Sequence, residues 1–544
     1  MKKTIKVILA MLLASAILLL ASCGNTATET KTENDDVPDR LKNKENLIVG
    51  LMQSSLEKGF DPCKGWGSYG VPLMQSKLLD FDAENAIIKD LAADYEVSED
   101  GLTWTFKIRK DVKFSDGEAL TAKDVAFTYN KTKEVGTNYD FSTLEKAEAV
   151  DDETVRMTFT TPYSAFIYDA ATLGIVPEHA YEDTNAYSAN PIGSGPYKFV
   201  SYMQGQQLIL ERNDDYYGDM PKFKRITLVS MTPDTALAAV KSGEVDVVNV
   251  SEAMAQEKIE NYTAVATKSM DFRAVAMPVV QPGGTNAKGY PTGNAVTSDI
   301  AIRKAINYGV NRQEMIENVL YNHGEAATDM FNSLPWGIKE EIDKEFKDGS
   351  IDKANKVLDD AGWKMNGDIR EKDGIKAEFT LLYPASDDTR QSCAEAFAEQ
   401  CKKFGIKVNP EGSDWTEMEK RHSQDAIVIG GGQYTPIMIA RFHFSEKMDE
   451  PWSNIVRENN AAVDGHIRDA YIQTDEAKAI QSWQKALWDG SEGGSALGEA
   501  AYCNICYLEH MYFVRNGLDI GNQKLHTHSR DLSILANISE WDFK

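Results

Sequence analysis

Polar and apolar residues alternate over Thr103–Ile108, "TWTFKI", and again over Thr154–Phe159, "TVRMTF". Period-two alternation rich in aromatic and β-branched residues predicts half-buried strands. "KRITLVSM" at Lys224–Met231 and "IKVNP" at Ile406–Pro410 read the same way. Between such runs, apolar positions recur at helical spacing. "TALAAVKSG" at Thr235–Gly243, "SDIAIRKAINYGV" at Ser298–Val310, "DKANKVLDDAG" at Asp352–Gly362 and "DTRQSCAEAFAEQCKKFG" at Asp388–Gly405 are the clearest helices. Gly243, Gly362 and Gly405 stand where left-handed C-caps would end three of them. Strands alternating with helices over this length predict α/β lobes. No repeat of solenoid length interrupts the pattern.

The pattern breaks in three places. The first 22 residues carry a basic start, "MKKTIK", and an apolar, uncharged run, "VILAMLLASAILLLAS", followed by Cys23. This layout predicts a secretory signal peptide rather than a spanning helix. Residues 23–44 are polar and lack aromatics, so they predict a flexible tether. "VVQPGGTNAKGYPTGNAVTSD" at Val279–Asp299 is the one long Gly/Pro/Asn stretch, read as a surface loop or a crossing between lobes.

A chain of 544 residues exceeds one hydrophobic core and predicts two or three domains. Its net charge of −26 argues against a nucleic-acid partner, whose phosphates require Lys and Arg. Cys63, Cys393, Cys401, Cys503 and Cys506 are an odd number, which forbids a complete disulfide framework. Cys503 and Cys506 lie in "AAYCNICYL" and read as small apolar residues of a buried strand. With His526 and His528 of "LHTHS" they make a loose zinc-like spacing. Histidines of a terminal surface loop are the simpler reading, and no metal site is expected.

Ser55-Leu-Glu-Lys58, Ser188-Ala-Asn190 and Lys241-Ser-Gly243 follow the order of a penicillin-binding acyltransferase with Ser55 as nucleophile. Their context disagrees. Lys58 is followed by "GFDP" rather than a helix, and "AAVKSG" ends a helix where a strand edge is required. The acyltransferase stands only as an alternative, and the expectation is a protein that is not an enzyme. "GGGQYTP" at Gly430–Pro436 follows the apolar run Ala426–Ile429, but no Lys-Ser/Thr completes a phosphate loop. Its glycines are read as a cleft turn that lets backbone approach a ligand.

"LAADYEVSEDGLTWTFKIRKDVKFSDGEALTAKDVAFTY", from Leu91, resembles the signature region of the peptide/nickel class (family 5) of extracytoplasmic solute-binding proteins, the receptors of ABC importers. Within it, Thr121 is placed to cap a helix starting at Ala122, with Asp124 in its first turn. "NPIGSGPYKFVSY", "ERNDDYYGDMPKFKRI", "VKSGEVDVV", "IRKAINYGVNRQEM" and "ANKVLDDAGW" follow in the order of that family. "DIREKDGIKAEFTLLY" resembles its nickel-binding branch, and "LASC" before Cys23 resembles the bacterial lipoprotein box.

The resemblance implies a two-lobed α/β periplasmic-binding-protein fold (type II-like) with an extra subdomain on lobe one and a ligand cleft between the lobes. Lobe one is expected from 45–72, 186–278 and 501–544, the extra subdomain from 73–185 and lobe two from 279–500. Implied too are a lipid anchor on Cys23, placement outside the cytoplasm on the cell membrane, permease subunits as partners, a monomeric state and no cofactor. Cargo would be a short peptide, a nickel or other metal chelate, or an opine-like solute, captured by hinge closure.

Ligand contacts would come from Trp66 and Tyr69 of "DPCKGWGSYGVPL", from Tyr139 and Phe141 of the extra subdomain, and from Gln433 and Tyr434 of lobe two. Arg441 and Arg273 are candidates for an anionic group. Peptide-binding relatives carry an Asp before the proline of the lobe-two turn, which fixes the ligand's amino terminus. Thr435 stands there in this chain, and it leaves the cargo open between peptide and chelate.

Overall fold

The computed structural model describes residues 37–51, 56–57, 59–136 and 139–544. The leader, Cys23, Ser55, Lys58 and the tether up to residue 36 lie outside the described residues. Asp39–Lys42 forms a short helix in a unit that ends at Asn43. Everything below concerns the second unit, Lys44–Lys544. No helix among the described residues is long and apolar enough to cross a membrane.

Two mixed sheets organise this unit. The first has seven strands in the order Tyr262–Thr267, His510–Arg515, Val247–Val250, Leu47–Leu51, Arg225–Ser230, Gln207–Arg212, Tyr197–Met203. Leu47–Leu51 runs parallel to both its neighbours. Helix Pro233–Ser242 makes the crossover between two of the strands. Thr232 caps its start, and Gly243 ends it at φ 74°. The second sheet has six strands, in the order Gly324–Ala326, Tyr502–Leu508, Phe272–Ala276, Ala426–Gly431, Glu378–Pro384, Lys407–Ser413. Helix Asp388–Lys402 connects two of these in parallel.

The lobe boundaries differ from the expected ones. Phe272–Ala276 and Tyr502–Leu508, expected in lobe one, pair side by side in the six-stranded sheet of lobe two. The chain therefore passes between sheets at residues 268–271 and at Glu509. Both passages are short and extended, and neither contains Gly or Pro. The Gly/Pro-rich stretch 279–299 is not a crossing but a loop with a small hairpin, Gly284–Thr285 against Pro291–Thr292.

The extra subdomain holds a four-stranded antiparallel sheet, Ala92–Val97, Thr103–Ile108, Thr154–Phe159 and Leu144–Ala149. Helix Ala122–Val135 packs on it, opened by a capping box. Asp124 accepts from the Thr121 amide at 2.8 Å, and Thr121 Oγ1 accepts from the Lys123 amide at 3.3 Å. The core is aromatic, with Trp104, Tyr129, Phe141 and Phe159 gathered around Phe166.

All five described cysteines are buried and unbridged. Burial pushes the Cys63 and Cys393 thiols up to about 12 and Cys503 to about 11, and drives Cys401 and Cys506 well above the ordinary thiol range. Buried thiols that stay protonated are inert. Iodoacetamide near neutral pH is expected to label none of the five in the native protein and all of them in denaturant. Mass spectrometry reads this directly, and native labelling at Cys503 or Cys506 would contradict the packing of their strand.

Candidate ligand-binding site

The two interlobe passages lie side by side and are hydrogen-bonded to each other and to the C-terminal segment. The Leu508 amide donates to the Asp271 carbonyl at 2.9 Å, and the Met270 amide donates to the His526 carbonyl at 2.8 Å. Asp271 is fully buried here. It accepts from His528 Nδ1 at 2.6 Å, from His510 Nε2 at 3.2 Å and from Arg273, with Arg530 Nε at 3.6 Å. Burial alone would raise its carboxyl, but Arg273 and His528 more than offset this and hold it well below the usual range.

This arrangement corrects three expectations. Arg273, a candidate for an anionic ligand group, is 2% exposed and engaged by Asp271. The glycines after Ile429 serve the crossing rather than a ligand. A Cβ on Gly432, at φ 152°, would sit 2.2 Å from the Met270 carbonyl oxygen, and one on Gly430 would sit 2.4 Å from Arg273 Nη1. His526 is buried, not on the surface, and bonds to Thr267 Oγ1 at 3.0 Å, while Cys506 lies within its own fully buried strand. Among the described residues no group of three or more His, Cys, Asp or Glu could hold a metal ion.

Beside the crossing, a cavity of about 110 Å³ is walled by all three parts of the fold. Ser68–Val71 come from lobe one, Tyr139, Tyr168 and Asp169 from the extra subdomain, and Gln433–Thr435 with Arg441 from lobe two. Five of the seven residues expected at the ligand, Tyr69, Tyr139, Gln433, Tyr434 and Arg441, thus meet at one cavity. Gln433 Nε2 reaches the Ser68 carbonyl at 3.4 Å across the cleft. Tyr434 packs edge-on against Phe81 at 5.3 Å and against Trp336 at 5.3 Å, and lies 6.1 Å from Tyr168. Lys447 pairs with Asp140 at 2.7 Å, a second link between lobe two and the extra subdomain.

Trp66 and Phe141 do not line the cavity. Trp66 is 6% exposed, stacks edge-on against Phe60 at 5.1 Å and donates its indole N–H to the Pro72 carbonyl at 2.9 Å. It therefore shapes the loop that presents Tyr69. Phe141 is turned into the core of the extra subdomain and stacks under Tyr139 at 5.7 Å. Sequence reasoning does not single out several of the lining residues: Asp80, Phe81, Tyr168, Asp169 and Lys524. Asp169 had a signal available, being one carboxylate inside the apolar stretch "SAFIYDAATLGIV". Burial raises its carboxyl to about 7, although Tyr163 donates to it at 2.7 Å.

The acyltransferase alternative finds no support. Lys241 and Ser242 end a helix whose Lys241 pairs at the surface with Glu257. Ser188 lies inside helix Thr184–Ala189.

Residues 86–442 match the family model "Bacterial extracellular solute-binding proteins, family 5 Middle". The chain is 31% identical over 500 residues to Protein XP55 of Streptomyces lividans, covering 87% of this chain and 86% of that one. It is 28% identical to the oligopeptide-binding protein AppA of Bacillus subtilis, covering 89% and 91%. Among solved structures it resembles NikZ from Campylobacter jejuni in complex with Ni(L-His), at TM-score 0.76 and 24% identity over 92% of this chain and 99% of that one. The chain belongs to the bacterial extracellular solute-binding proteins, family 5.

Proposed function

We propose that this protein captures one small solute in the cavity between its lobes and hands it to the permease subunits of an ABC importer. The observation that carries this reading is the composition of the cavity wall. Its residues come from lobe one, the extra subdomain and lobe two together. A site built this way is complete only when the lobes are closed, so cargo binding and closure are one event. No reaction is needed. Contact energy on both sides of the cleft shifts the open–closed equilibrium, and the permease distinguishes the two forms.

Arg441 supports a cargo with an anionic group. Among the described residues it forms no ion pair with a carboxylate, and its Nε reaches only the Trp452 carbonyl, at 3.5 Å. The cavity is small beside the roughly 300–1,000 Å³ pockets that take drug-sized ligands, which favours a small cargo. An oligopeptide such as AppA's name indicates fits this space poorly, and a compact solute or small chelate fits it well. Lipid attachment at Cys23 would keep a monomeric receptor at the membrane beside its permease.

Native mass spectrometry of protein purified without refolding tests the reading. The expected spectrum shows one small bound mass, lost on cleft-opening denaturation. A ladder of peptide masses would replace the small-solute reading with a peptide receptor.

A further inference from the structure

We infer that the cargo is a small zwitterion, with Asp169 receiving its ammonium group and Arg441 receiving its carboxylate. This rests on the receptor reading above and specifies its substrate class. The cavity carries a carboxylate on its extra-subdomain wall and a guanidinium on its lobe-two wall. Asp169 is 7% exposed. Its Oδ2 accepts from Tyr163 at 2.7 Å, and among the described residues no donor reaches Oδ1.

The cavity's other carboxylate is already occupied. Asp80 accepts from Lys77 at 2.6 Å and from Lys524 at 3.3 Å. Asp169 and Arg441 therefore remain as the complementary pair, one from each side of the cleft. A ligand that bridges them adds a charge-assisted contact on each side, and both are made only in the closed form. Tyr69, Tyr168 and Tyr434 line the same cavity and give the cargo's skeleton an aromatic wall.

Asp169 also makes the binding pH-dependent. The groups packed around it are Tyr129, Tyr139, Tyr163 and Tyr471, all shifted upward and neutral near pH 7, and Asp140, which stays ionised beside Lys447. Burial raises Asp169 itself to about 7. An arriving ammonium draws it into the ionised form, so a proton leaves on binding. Affinity for the zwitterion should rise with pH up to about 7 and level off above it.

The test is a thermal-shift screen with the common L-α-amino acids and their glycyl dipeptides, followed by calorimetry on each hit beside its des-amino and decarboxylated analogues. At least one zwitterion is expected to raise the Tm. Asp169→Asn retains an acceptor for Tyr163, and is expected to weaken that zwitterion about 10- to 150-fold while leaving the des-amino analogue unchanged. Arg441→Gln should weaken the zwitterion and spare the decarboxylated analogue. The pH profile on unmodified protein gives a reading that does not depend on the variants folding. The inference is overturned if no zwitterion binds, if Asp169→Asn weakens the zwitterion and its des-amino analogue alike, or if affinity is flat in pH below 7. A bound peptide ladder or metal–organic mass indifferent to Asp169→Asn overturns it and leaves the receptor reading standing. That reading fails separately, if nothing binds the cleft at all.

Discussion

Asp271→Asn is expected to destabilise the protein by about 3–5 kcal/mol, the cost of removing one partner from a buried charge group. The carboxylate is fully buried and is the common acceptor for Arg273, His510 and His528, with Arg530 close by. Without its charge, Arg273 stays buried next to Arg390 with only Asp387, which pairs with Arg390 at 3.5 Å, to offset two guanidiniums; burial, and then repulsion from Arg273, already hold Arg390 down to about 10. Urea unfolding at neutral pH measures the loss, and an unchanged midpoint would refute the assignment. An exposed pair such as Lys110 and Glu153, at 2.8 Å, serves as the control, and its removal should shift nothing measurable.

Buried histidines, His510 at the crossing and His422 beside Trp452, contribute to the acid side of the stability curve. Burial pushes His510 down to about 4, against the pull of Asp271, and burial also takes His422 to about 4. In the unfolded chain both return to the ordinary value of 6.5. As pH falls from 6.5 towards 4, the unfolded state binds protons that these two folded histidines refuse, so their contribution declines across that window, while Asp169, raised to about 7, and Asp329, raised to about 6, act in the opposite sense. Asp271 adds its loss only below the ordinary carboxylate value, because its folded value is depressed.

What could be read from sequence was what local chemistry dictates. The Thr121 cap with Asp124 and the glycine stops at Gly243, Gly362 and Gly405 stand at helix starts and ends because their backbone roles are local. The fold class followed from strand–helix alternation and from ordered family blocks. The two crossings, expected at 278/279 and 500/501, fall instead at 268–271 and Glu509, because residues 268–271 carry no turn chemistry and their role exists only through Asp271's distant partners, such as His528 and Arg530 near the C-terminus. Trp66 and Phe141, expected at the ligand, pack away from this cavity for a related reason. An aromatic residue suits a ligand wall and a core equally, and only the fold decides which way the ring turns. Asp169 does not stand out by motif, although a lone carboxylate in an apolar run requires an explanation.

Tyr434→Ala is expected to weaken cargo binding about fivefold to 150-fold while moving the cargo-free Tm by no more than about 2–4 °C. The ring reaches out of lobe two to Phe81 and Tyr168 of the extra subdomain, at 5.3 and 6.1 Å. Hinge opening that parts lobe two from the extra subdomain would break those two contacts. At about 0.5–1.5 kcal/mol for each aromatic pair, closure loses about 1–3 kcal/mol without them. The contact with Trp336 lies within lobe two and would survive such opening, so folding should be little affected. Tyr434→Phe preserves every ring contact and should bind normally unless the hydroxyl touches the cargo. Calorimetry on the three proteins separates these cases. Equal affinity in Tyr434→Ala and the unmodified protein would mean that closure does not run through this ring, and the cavity would then lose its claim to be the cargo site.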